Sequence, residues 1–277
     1  MLGDDDSANR AARPHSDTVI SLVAFVENCS AIEAHWQQRQ DWGPLPLLHR
    51  GGSIAALIDI LPTGEEHGLA GEHRFRKLEW LAPRVARHAA ILQWAMHWSP
   101  VFPVAFGTLY QTAEELGGFM QAHEIAIEAF FQTAADKQEW TLNATTSFDR
   151  PYKLEQLARR SWPDWPALSP GTRYMRLCRE RPTLAALGRK EARHRLSEML
   201  EDLRPSVAAV KPYEGTSPIG IETKVELIAS YAVLVEVAAT AQFQTRMQDI
   251  NLRAAAHDIA ISLAGPWPPF GFRPHLG

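Results

Sequence analysis

Eleven histidines and 32 acidic side chains are the groups in this 277-residue chain best able to hold a metal or move a proton. A zinc hydrolase would carry HExxH, which sets two imidazoles one helical turn apart with a carboxylate between them. That run is absent, as is His-x-His, and no carboxylate stands at ligand spacing from two histidines on one predicted helix. His88 and His123 fall on apolar helix faces, where a hydrogen-bonded, partly buried histidine is the simpler reading. His97 ends a predicted helix, where an imidazole meets the last carbonyls. Neither GxxxxGK[ST] nor a GxGxxG after a strand is present, so the loops that cradle phosphates are missing. Gly51-Gly52 reads as a turn, and Gly117-Gly118 lies inside a helical pattern. A GxSxG nucleophile elbow is also missing. Cys29 and Cys178 stand 149 residues apart without a CxxC, which argues against a zinc site or a disulfide framework. The chain is therefore read as a non-enzyme with no metal and no cofactor, the rival reading being an enzyme whose acid/base site is assembled from distant residues.

Charge narrows the partners. The formal net charge is −4, so the whole surface exerts no long-range pull on nucleic acid or anionic lipid. Residues 149–204 run the other way, with 13 Lys/Arg against 8 Asp/Glu. An RNA or acidic partner for this stretch is one reading. A solvated helix face of mixed charge is the other, because no aromatics for base stacking are interleaved along it. The N-terminus is acidic where a signal peptide is basic, and the longest apolar run, 227–235, is about half a membrane span. A cytoplasmic protein is expected, with no nucleic acid and no membrane among its partners.

Periodicity supplies the elements. After a polar tail at 1–16, short β-branched runs predict strands at 18–26 and 54–61, with a short helix at 27–42 between them. Apolar positions spaced by three or four predict a helix over 78–98, with Leu81, Val85, His88, Leu92 and Ala95 in one stripe and Trp80, Ile91, Trp94 and Trp98 beside it. Val101–Phe106 reads as an edge strand because of Pro103. Thr112 followed by Glu115 marks a helix start, continued by the face Leu116, Phe119, Met120, His123, Ile127, Phe130, Phe131 and Ala134. A fourth strand at 139–147 would complete a first domain over 17–148.

The Trp- and Pro-rich run at 149–170 then reads as a linker. A basic helix over 173–203, broken near Pro182, opens a second domain at 171–264. It continues with alternating residues from 219, an apolar strand at 231–235, a helix carrying Phe243, Met247, Ile250, Ala254 and His257, and a last strand at 258–264. The ending GPWPPFGFRP within 265–277 reads as an extended tail. The fold class is α+β, two small α/β domains. Trp267, Phe270 and Phe272 on the tail need a surface to dock on, either the body or a partner. Trp94 and Trp98, one turn apart, read either as core or as an apolar contact surface.

Several segments resemble the gas vesicle protein F/L family (GvpL/GvpF). The likeness runs through LEWLAPRVARH at 78–88, PVFPVAFGTL at 100–109, Glu139-Trp140, GTRYMRL at 171–177 and, most specifically, LAGPWPPFGF at 263–272. Ala105 departs from the family's usual arginine, Phe270 from its tyrosine, and Gly271-Phe-Arg273 from its Ser/Asn-Phe-Val ending. The resemblance implies partly ferredoxin-like domains and a non-catalytic accessory of gas vesicle formation, present in the cytoplasm and with the vesicle. It also implies that the chain binds the small apolar shell protein, and further accessory proteins. A strand-forming apolar subunit left free in water would aggregate, so a covering partner has a physical purpose.

Overall fold

The computed structural model describes residues 18–28, 32, 47–63, 77–148, 151–213 and 225–276. The polar segment 1–16, most of the expected helix at 27–42, and residues 219–224 of the expected alternating strand lie outside the described residues. The chain divides into two compact units, Met1–Thr133 with Arg273–Gly277, and Ala134–Phe272.

In the first unit the strands are β1 (Thr18–Glu27), β2 (Leu47–Gly51), β3 (Ile54–Pro62), β4 (Val101–Pro103) and β5 (Leu109–Tyr110). They form one sheet in the order β2-β3-β1-β4, with β5 also on β1, and every pair is antiparallel. β1 is buried along nearly its whole length, which explains its unbroken apolar run. Helix α1 (Leu78–Ala95) starts with Pro83 in its second turn and buries its C-terminal half through His88, Ile91, Leu92, Trp94 and Ala95. Its N-terminal half is more open, with Val85 41% exposed, so the predicted stripe is used only from His88 onward.

Helix α2 (Ala113–Ala134) begins as Thr112 and Glu115 predict. Thr112 Oγ1 accepts from Glu115 N at 3.1 Å, and Glu115 reaches back to Gln111 N at 2.8 Å. Leu116, Met120, Ile127, Phe130 and Phe131 are buried as expected, and Phe119 stacks on Phe25 of β1.

The second unit holds β6 (Lys137–Thr146), α3 (Pro151–Ser161), α4 (Pro170–Glu201), β7 (Ala209–Pro212), β8 (Glu226–Glu236), α5 (Thr240–Ala255) and β9 (Ala260–Trp267). The sheet order is β7-β8-β6-β9, again antiparallel throughout. A βαββαβ chain with that order is the split, ferredoxin-like arrangement. The first unit's β1 to β4 follow the same order. The strand expected at 139–147 is β6, and it pairs with β8 and β9, so it belongs to the second unit. Within 149–170 the described residues form α3 and a 3-10 turn, packed around Trp165, Leu154, Leu157 and Leu184. The chain's own division thus comes earlier than the composition change suggested.

Two further differences have local causes. α4 runs without a break through Pro182, whose missing N–H leaves the carbonyl of Cys178 short of a partner. Cys178 is exposed, so water can take that place. Ser169 caps the helix by accepting from Thr172 N at 3.3 Å. The tail is not wholly extended: Gly265, Pro266 and Trp267 continue β9, and Phe270–Phe272 is a 3-10 turn.

Gly188 of α4 and Gly118 of α2 make a paired test of packing against helix propensity. A Cβ on Gly188 would lie 2.4 Å from Phe148 Cε1, whereas one on Gly118 would meet nothing within 4 Å. Gly118→Ala should therefore stabilise by up to about 1 kcal/mol. Gly188→Ala should destabilise by about 1–2 kcal/mol, because overpacking outweighs the propensity gain. Chemical denaturation of both variants checks this, and a stabilising Gly188→Ala would refute the close approach.

Candidate functional site

The least ordinary polar group in the described fold is Glu139, on the central strand β6 and only 2% exposed. Gln138, Glu139 and Trp140 are buried in succession, where strict alternation would expose the middle one. β6 itself stays in regular register with β8 here, the extra residue opposite Trp140 being on β9, so the burial of Glu139 comes from what covers it. Trp140 joins the core of the second unit, its ring 5.9 Å from that of Phe243. Glu139 is covered by the end of the chain: its Oε2 accepts from Gly271 N at 2.7 Å. Lys211 of β7 completes the group, with Nζ 5.0 Å from the Phe272 ring centroid and 3.5 Å from Gly271 O.

Glycine is required twice in this latch. Gly265 has φ +144°, and a Cβ there would lie 2.9 Å from Glu139 O. A Cβ on Gly271 would lie 2.8 Å from that of Ala232. Burial pushes the Glu139 carboxyl up to about 7, against the opposing pull of the Gly271 N–H and the Lys211 charge. A raised carboxyl pKa in an open cleft marks a catalytic acid. This carboxylate instead faces the chain's own backbone.

His88 is also shifted by burial, and it too has a structural role. Burial holds its pKa below the usual histidine value. Its Nε2 donates to Val104 O at 3.0 Å, and Phe106 meets the ring edge-on at 5.6 Å. No group of three potential metal ligands is found among the described residues.

The basic stretch is largely committed to internal contacts. Arg159 pairs with Glu155, Arg176 with Asp164, Arg189 with Glu226 and Arg204 with Glu201. Arg176 also lies over the Trp162 ring at 4.2 Å.

The five aromatic residues singled out in the sequence fall in different settings. Trp94 is 7% exposed and belongs to the core of the first unit, whereas Trp98, just past the end of α1, is 39% exposed. Trp267 is half-buried on β9 opposite Glu139, and Phe270 and Phe272 are half-buried in the turn that follows. Sequence reasoning gave Glu139 no role and overlooked Lys211. The available signal was a carboxylate in the stretch Gln138–Thr146 of β6, which is otherwise uncharged.

The family model for "Gas vesicle synthesis protein GvpL/GvpF" matches residues 32–274. The chain belongs to this gas vesicle family. Its fold is similar to that of the gas vesicle protein GvpF from Anabaena sp. PCC7120, with a TM-score of 0.67, 15% identity, and coverage of 93% of this chain and 97% of that one. It is also similar to GvpF from Microcystis aeruginosa, with a TM-score of 0.62, 10% identity, and coverage of 94% and 100%. A search of curated proteins finds no match. Two segments that carried the family resemblance, Glu139-Trp140 and 263–272, meet in the latch. Ala105 and Arg273, both departures from the family pattern, line one cavity of about 250 Å³ in the first unit.

The latch makes stability depend on pH. The folded carboxyl of Glu139 holds its proton to about pH 7, against 4.5 for a free one. The folded state thus binds more protons between those values, and the stability this gives is lost as pH rises through the folded pKa. Glu139→Gln keeps an acceptor for Gly271 N and removes the titration. Urea unfolding at pH 5 and pH 8 should show a smaller loss across that interval in the variant than in the wild type. An equal loss in both would show that Glu139 is not the titrating group.

Proposed function

We propose that this chain is a non-catalytic accessory of gas vesicle formation that binds the small apolar shell protein and keeps it soluble until it is added to the wall. The observation that carries the reading is the family match over 32–274, which spans both units. The site chemistry is compatible with it, since Glu139 and His88, both shifted by burial, are each engaged by backbone. Among the described residues no helix is long and apolar enough to cross a membrane. In this reading the protein acts in the cytoplasm and at the growing vesicle, and other accessory proteins are further partners.

The proposal has two separate contact patches, Trp98 on the first unit and the outward parts of Trp267, Phe270 and Phe272 on the second. Trp94, in the core of the first unit, backs the first patch in this proposal. The tail aromatics then have two duties, closing the second unit over Glu139 and offering apolar area. Such area contributes about 25 cal/mol per Å² when a partner covers it.

The test is co-purification of the tagged protein from cells co-expressing the small shell protein, with a shell-free control. Recovery of the shell protein and an increase in its soluble fraction are expected. Trp98→Ala, at an exposed position, should fold normally and reduce recovery about tenfold if it is an anchor. A folded wild type that recovers no shell protein would overturn the shell-binding reading.

A further inference from the structure

The second unit contains a polar cavity of about 150 Å³ bordered by Lys153 and Arg160 of α3, Glu191 and Arg195 of α4, and His257 and Asp258 after α5. Three permanent cations therefore face two carboxylates. Both carboxylates already have donors of their own. Asp258 is paired with Lys153 Nζ at 3.4 Å and accepts from Tyr152 Oη at 3.2 Å. Glu191 is paired with Arg160 at 3.2 Å.

Arg195 is the cation left over. Its Nη1 donates to His257 Nδ1 at 2.9 Å, and among the described residues it has no carboxylate partner. A guanidinium can only donate, so Nδ1 is the acceptor and the imidazole proton sits on Nε2. The cavity wall thus offers the unused N–H groups of Arg195 and the Nε2–H of His257. Lys153, paired with Asp258 and donating to Thr146 Oγ1 at 3.3 Å, borders the same wall and can turn a further N–H to a ligand. Asp258 occupies the left-handed region, φ +57°, unusual for a residue other than glycine, and its turn brings His257 to the same wall.

We propose that this cavity binds a small tetrahedral oxyanion of the phosphate class through Arg195, His257 and Lys153. The charge balance favours an anion over a cation. The fork of Arg195 suits two oxygens of one phosphate. The cavity is large enough for a phosphate group, whether free phosphate or the terminal phosphate of a nucleotide. The site is independent of shell-protein binding.

Calorimetric titration of the full chain in phosphate-free buffer tests this, with inorganic phosphate in one arm and ADP in the other. Saturable binding is expected, weakened about tenfold or more in Arg195→Gln, the loss of a charge-assisted hydrogen bond. Lys190→Gln, on the exposed side of the same helix, should bind like the wild type. If circular dichroism shows Arg195→Gln unfolded, His257→Gln, at an exposed position, replaces it with the same expected direction. Binding of ADP alone, lost in the same variant, would support the site and assign the phosphate to a nucleotide. No saturable binding of either probe to the folded wild type, or equal binding by the variant, would overturn it.

Discussion

A carboxylate withdrawn from water must find donors or give up its charge, and Glu139 does some of both. Its one backbone donor in the sheet's neighbourhood is Gly271 N, which comes from the opposite end of the unit's sequence. Leaving such a buried acceptor unsatisfied costs about 1–3 kcal/mol. The chain end is therefore part of the second unit's interior, although its composition suggests a loose tail. The GPWPPFGF pattern follows from this constraint. Gly265 allows β9 to pass against the Glu139 carbonyl, and Trp267 still pairs opposite Glu139. Gly271 allows the turn to approach Ala232 and present its N–H, and Phe272 covers the site beneath Lys211.

β6 has no fully exposed residue. It lies between β8 and β9. One face feeds Trp140, Leu142 and Ala144 into the core with α4 and α5. β1 has the corresponding place in the first sheet, between β3 and β4. Two units with one strand order need no resemblance in sequence to share this logic. In each, two inner strands are hydrogen-bonded on both edges, β3 and β1 in the first sheet and β8 and β6 in the second, and the edge strands are short or contain proline, as β4 does at Pro103 and β7 at Pro212.

Elements defined by local pattern were legible in the sequence. The α2 face, its capping pair, the β1 and β3 runs and the apolar stripe of α5 all depend on residues a few positions apart, where periodicity speaks directly. What was not legible depends on distant partners. Nothing near 139–147 says that this strand pairs with residues beyond 225 rather than with β1 to β4. Pro182 has the local signature of a helix break, and only exposure of the affected turn removes it. Trp94 and Trp98 share a stripe, yet one is core and the other surface, because the helix leaves its packed face at the turn after Ala95. Glu139 was quoted as half of a motif. Its role needed the 132-residue separation to Gly271 to be closed in space.

The chemistry-bearing groups then divide by what encloses them. Glu139 and His88 are shifted by burial and answered by backbone atoms, so their perturbation is explained by folding and needs no substrate. Most arginines along α3 and α4 are answered by carboxylates or indole rings, which removes the main reason to expect a nucleic-acid surface there. The surface keeps scattered apolar side chains that folding does not use: Tyr174 at 67% and Met175 at 68% exposure on α4, Leu252 at 73% on α5, Ile125 at 83% on α2. Single exposed apolar residues are ordinary. The shifted acid and imidazole are thus answered within the fold, while the exposed apolar side chains are area that the proposed accessory role could use. In the proposed function, covering the apolar face of a strand-forming subunit needs such area and a stable backbone to present it.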